Sequence, residues 1–147
     1  LNRYYMEWRR SGDDLFVRLD PGEEIHRSLQ SLAEEVGFDA AAITSGIGRT
    51  KDNLYGYMND EGVYQRKLLQ SPSELVSLSG NIARTEDGNP FTHIHCCWSD
   101  NDLHAHAGHM FECVVAVVAE IHIRIMEEII MTRCPLPDVQ LLGLKFS

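Results

Sequence analysis

Leu19–Gly48, LDPGEEIHRSLQSLAEEVGFDAAAITSGIG, changes its hydrophobic period midway and thereby decides the fold class. In its first half Ile25, Leu29, Leu32 and Val36 recur at steps of four, three and four, the spacing that lines one face of an α-helix. Asp20 is placed to cap that helix, Pro21 suits its first turn, and Glu23 follows Asp20 at capping-box distance. Gly37 supplies the stop. The second half, FDAAAITSGIG, reads as a core strand that leads into a glycine turn. Its GxG lacks the further glycine and the helix of a dinucleotide fingerprint.

Upstream, YYMEWRR and DLFVRL are two strands around a turn at Ser11–Asp13; downstream, LYGYM and VYQRKLL form a hairpin around Asn59–Gly62. ELVSLSGNIA, FTHIHCCW and FECVVAVVAEIHIRI are further strands, and Tyr55, Tyr57 and Tyr64 are sheet residues. Pro135 and Pro137 exclude the terminal IIMTRCPLPDVQLLGLKF from a central strand, so that segment covers a sheet face or joins a neighbouring subunit. Many antiparallel strands with one long helix predict an α+β fold, a central antiparallel or mixed twisted sheet with one principal helix. With 147 residues and no proline-rich or glycine-rich linker, residues 1–147 are expected to form a single domain.

Charge narrows the function. Twenty-two acidic residues against thirteen basic ones give a net charge of −9, which disfavours direct nucleic-acid binding, since such affinity rests largely on neutralising phosphates. The pairs Arg9-Arg10 and Arg66-Lys67 are too short and scattered to reverse this. The apolar run VVAVVAEIHI is interrupted by Glu120 and His122 well before membrane-spanning length, so no membrane partner is expected. Four cysteines without a CxxC pair and no apparent signal peptide favour a reducing, cytoplasmic setting.

Chemistry concentrates in Phe91–His109, FTHIHCCWSDNDLHAHAGH, which holds five of the seven histidines. His93 and His95 share one face of a strand, and a return strand beginning near Gly108 brings His109 beside them. Three neutral imidazoles plus a water make an open zinc site. His104 and His106 are alternative ligands in a turn-rich connection, and Cys97, of the same strand parity as His93 and His95, would close the sphere as a structural site. The competing reading has these histidines hydrogen-bonding carbonyls or lining an interface. His26 and His122, outside the dense segment, are expected to be structural or exposed.

On LDPGEEIHRSLQSLAEEVGFDAAAITSGIG, ELVSLSGNIA, DGNPFTHIHCCWSD and AGHMFECVVAVVAE, the chain resembles the PPC domain family of prokaryotes and of plant AT-hook nuclear proteins. The resemblance covers nearly the whole sequence and implies a homotrimer. It also implies DNA association or contact with a protein partner, although no AT hook is present here. The fold is similar to that of acetolactate decarboxylase, whose zinc-binding HxH strand and later glycine-preceded histidine match His93, His95 and His109. That similarity implies a zinc cofactor and a small carboxylate or hydroxyketone ligand whose oxygen the metal polarises. Glu112 and Glu120 are the candidate proton donors or bases by proximity in sequence, and Arg84 is the candidate carboxylate clamp.

Overall fold

In the computed structural model, which describes residues 6–139 and 141–147, the change of period separates a helix from a long strand. The elements run β1 (Glu7–Ser11), β2 (Asp14–Leu19), α1 (Ile25–Val36), β3 (Ala41–Met58), β4 (Tyr64–Leu69), β5 (Ser73–Thr85), β6 (Pro90–Ser99), β7 (Ala105–Ile125), β8 (Met131–Pro135) and β9 (Leu142–Phe146). This is the expected α+β architecture with one helix and a mixed sheet. Tyr4 and Tyr5 of the first expected strand lie outside the described residues.

The helix begins later than its capping pattern suggests. Glu24 is the N-cap, its carboxylate accepting from the Arg27 and His26 backbone N–H groups. The Asp20–Glu23 pair does form, with the Asp20 N–H donating to Glu23 Oε2 at 2.7 Å, but it closes the turn before the helix. The tie is the one a capping box makes, and Pro21 and Gly22 follow it as turn residues instead of entering the helix. Ile25, Leu29 and Leu32 are fully buried as the stripe requires, Ala33 joins them, and Gly37 ends the helix in the left-handed region.

The glycine turn expected after Ile43 is absent. β3 continues unbroken through Gly46 and Gly48, with bulges where its register on β7 shifts. Gly48 serves close packing: a Cβ there would lie 2.2 Å from the Val118 carbonyl oxygen on the neighbouring strand.

β3 pairs with β5, β5 with β6, β6 with β7 and β7 with β3, so four strands close on themselves. Leu75, Leu78, Ile94, Trp98, Met110 and Cys113 fill the enclosed space, and α1 packs against β6 and β7. Buried polar groups in this core satisfy one another: Trp98 Nε1 donates to Thr50 Oγ1 at 2.9 Å, and Thr50 Oγ1 donates to Asn53 Oδ1 at 2.7 Å. The β1–β2 hairpin extends the sheet from β7, and β4 folds back on the far end of β3. The proline-bounded carboxyl terminus forms a β8–β9 hairpin whose short parallel pairing with β5 makes the sheet mixed.

Candidate metal centre

Alternation along β6 sets the site. Thr92, Ile94, Cys96 and Trp98 turn inward and are buried, which leaves His93, His95 and Cys97 on the outer face. β7 returns antiparallel with His109 directly opposite His95, a pairing that places facing side chains about 5 Å apart at Cβ. The three rings meet there, with centroids separated by 5.1 Å (His93 to His95) and 5.4 Å (each of these to His109). One ring nitrogen from each lies within 4.8 Å of the others.

Pairing between β6 and β7 stops at His95 and His109, and His26 of α1 stitches the fork beyond it. Its Nε2 donates to the Met110 carbonyl at 2.9 Å, so its Nδ1 accepts from the Thr92 hydroxyl at 2.6 Å. Both nitrogens are thereby occupied in holding the helix to the strands. His122 is similarly engaged, with Asp14 and Thr44.

Two further side chains steady the cluster. Tyr64 Oη lies 3.4 Å from His109 Nδ1, and Arg133 Nη2 lies 3.4 Å from His93 Nδ1. Among the described residues no protein partner reaches Nε2 of either ring, nor either nitrogen of His95. Burial, then the Arg133 guanidinium and the neighbouring histidines, hold His93 below the ordinary imidazole value. Burial, then His93, His95, His26 and Arg66, push His109 down to about 4. Both rings are therefore neutral near pH 7, the form that ligates metal, and imidazole nitrogen suits a borderline divalent ion.

The remaining candidates are placed elsewhere. His106 is in strand β7, not in a loop, and faces opposite to His109; its Nε2 is 2.8 Å from Asp100 Oδ2 and its Nδ1 is 3.0 Å from Tyr55 Oη. His104 stays in the turn and is exposed. Asp100, Asp102 and His104 form a second group close enough for a cation, yet Asp100 already accepts from the Asp102 and His104 N–H groups as a turn clasp. The His106 hydrogen bond, first, and the one from the His104 N–H hold the Asp100 carboxyl down at about 2.

Cys97 shares the outward parity of His93 and His95 but pairs with Ala107 and Ser77, outside the ring cluster. Arg84 donates to Glu34 and to the Ala33, Phe38 and Gly88 carbonyls, and so fastens the end of α1 instead of facing the cluster. Glu120 sits far down β7 opposite Ile47. Glu112, however, lines the same cavity as His109, a hollow of about 560 Å³ walled also by His26, Arg27, Gln30 and Phe111.

The sequence pattern of the Plants and Prokaryotes Conserved domain matches residues 6–127. No curated protein matches the chain. Among solved structures it is similar to a suspected DNA-binding protein from Bacteroides thetaiotaomicron, at 23% identity and TM-score 0.88 over 96% of this chain and 97% of that one. It is similar to a plant- and prokaryote-conserved protein from Pyrococcus horikoshii, at 26% identity and TM-score 0.78 over 97% of each chain. A metal-containing protein from Archaeoglobus fulgidus is also similar, at 27% identity and TM-score 0.78 over 97% of this chain and 98% of that one.

Proposed function

The chain belongs to the Plants and Prokaryotes Conserved domain family, and from that premise we propose that it is a DNA-associated regulatory or protein-interaction domain carrying a divalent-metal centre at His93, His95 and His109. The observation that carries the metal assignment is the convergence of three ring nitrogens within 4.8 Å on an otherwise uncommitted sheet face. Zinc is the ion this donor set suits, because neutral imidazole nitrogen fits its borderline softness and its tolerance of low coordination number. The Archaeoglobus relative described as metal-containing supports it, and the Bacteroides protein described as DNA-binding accords with the DNA association.

Association with DNA through partners accords with the charge. At −9 the chain repels a polyanion, and six of its arginines are already paired with carboxylates. Assembly as a homotrimer accompanies this proposal; half-exposed Ile47, Val76 and Val117 on the outer sheet face supply an apolar surface for it. A cytoplasmic setting accompanies the proposal because free thiols suit a reducing compartment, and among the described residues no helix is long and apolar enough to cross a membrane.

The second reading, metal-dependent binding or conversion of a small molecule, is favoured by the cavity that opens beside His109 with Glu112 on its wall. A bound zinc would supply Lewis acidity there, while Glu112 would hold or take up a proton. Elemental analysis tests the shared premise: wild type should retain about one divalent ion per chain, and folded His93→Ala, His95→Ala and His109→Ala variants should lose it. Unchanged metal in all three would remove the assignment. Salt-dependent titration with duplex DNA then separates the readings, since partner-mediated association predicts no tight intrinsic binding even at low salt.

A further inference from the structure

Among the described residues Leu103 is the most exposed large apolar side chain, at 86%, and its backbone lies in the left-handed region with a φ of 63°. Both features cost a lone copy free energy: its side chain stays in water, and leucine is strained at a positive φ where glycine or asparagine would sit at ease. The turn between β6 and β7 nonetheless enforces the position. Asp100 Oδ1 accepts from the Asp102 and His104 N–H groups at 2.9 Å, the Leu103 N–H donates to the Asp100 carbonyl at 3.0 Å, and Asp100 Oδ2 lies 2.8 Å from His106 Nε2. A tip clasped in this way presents the leucine as a fixed knob, so that contact orders little more of the chain.

A hollow that could receive such a knob lies on the outer sheet face. It encloses about 450 Å³ and is walled by Ile47, Val76 and Val117, each more than half exposed, together with Arg49 and Glu74. A single exposed valine is ordinary surface, but three β-branched side chains around one hollow form an apolar patch. Glu74 pairs with Ser99, the residue before Asp100, so the hollow and the leucine turn adjoin along one end of β5 and β6. Charge also matches. The exposed Asp102 carboxylate beside Leu103 has no ion pair among the described residues, and Arg49 reaches Glu74 only at 3.6 Å, beyond hydrogen-bond length.

We propose that Leu103 of one copy of this chain seats in the Ile47, Val76 and Val117 hollow of the next, with Asp102 meeting Arg49 at the edge of the contact. This rests on the homotrimer reading and states which surfaces join its copies. Knob and hollow are different surfaces, so the contact is head-to-tail and satisfies every copy only by closing as a ring. Their nearness on one chain suits a small ring, in which the two contacts of each copy lie close to the symmetry axis. A two-fold contact of hollow against hollow fits less well, since it leaves Leu103 in water and brings the Glu74 and Glu120 carboxylates of both copies together.

Light scattering of the full chain over a concentration series tests this with Leu103→Gly and Val76→Lys. Wild type is expected to assemble, and each variant to assemble at least tenfold more weakly. Leu103→Gly removes the positive-φ strain, so its urea midpoint, measured dilute enough that all chains are monomeric, should equal or exceed that of wild type. Val76 is exposed, so lysine there leaves the core untouched. Mixing the variants is the decisive arm. The Val76→Lys chain keeps its leucine turn and the Leu103→Gly chain keeps its hollow, so together they should form a dimer that neither forms alone. Unweakened assembly of Leu103→Gly, or a mixture that stays monomeric, overturns the head-to-tail contact while an oligomeric wild type leaves the homotrimer reading standing. A wild type that is monomeric throughout removes both.

Discussion

At the scale of single residues, Arg133 and His109 make the metal proposal most exposed to test. An arginine can only donate, so the Arg133 contact keeps the His93 proton on Nε2 in the metal-free protein, and a cation at Nε2 forces that proton to Nδ1 against the guanidinium. Arg133→Gln should therefore tighten metal binding by up to about tenfold, ~1.4 kcal/mol, as read by competition with a chelator. Weaker binding would mean that Arg133 orients His93 instead of opposing the metal. For His109 the sign follows from its depressed value. As pH falls from about 6.5 towards 4, the unfolded chain takes up a proton that the folded chain refuses, so metal-free stability declines through that window. His109→Gln should flatten this part of the profile of urea midpoint against pH, and an unchanged profile would show that the ring is not held neutral by the fold.

At the scale of elements, the site depends on strand spacing. Gly80 of β5 pairs with Ile94 of β6 so closely that a Cβ would lie 1.9 Å from the carbonyl oxygen of the preceding His93. Gly80→Ala should push β6 outward, destabilise the fold by about 1–3 kcal/mol in denaturant titration, and weaken metal binding because His93 moves with its backbone. Leu29→Ala, which opens the core under α1 away from the rings, should cost about 2–5 kcal/mol yet leave metal stoichiometry intact in the folded fraction. The contrast separates a general loss of stability from a displaced ligand. The fork between β6 and β7 carries the same lesson: its filler, His26, is a helical residue whose hydrogen bonds to Thr92 and Met110 hold the two ligand strands at a fixed opening.

At the scale of the whole molecule, the proposed homotrimer predicts that Val117→Lys, on the exposed apolar sheet face, shifts a trimeric mass towards monomer in light scattering while leaving the metal site in place, since Val117 lies well along β7 from His109. The sequence by itself determined the helix stripe, the strands and the outward parity of His93 and His95, because periods of 3.6 and 2 are local properties of the backbone. It also showed His109 entering a second strand behind Gly108. It did not reveal that β3 runs straight through its glycines, that Glu24 and not Asp20 caps α1, or that His106 enters the strand with its face reversed. Each of those depends on a contact with a distant segment: the Val118 carbonyl, the Cys113 N–H that also donates to Glu24, and the Tyr55 hydroxyl beside His106. Tyr64 and Arg133 gave no signal at all, since they come from the β4 and β8 hairpins and reach the histidines only through the register of strands tens of residues away. Periodicity assigns each side chain to a face; only closure of the β3–β5–β6–β7 ring brings those faces together, because non-local hydrogen bonding, which no short segment encodes, sets which strands are neighbours.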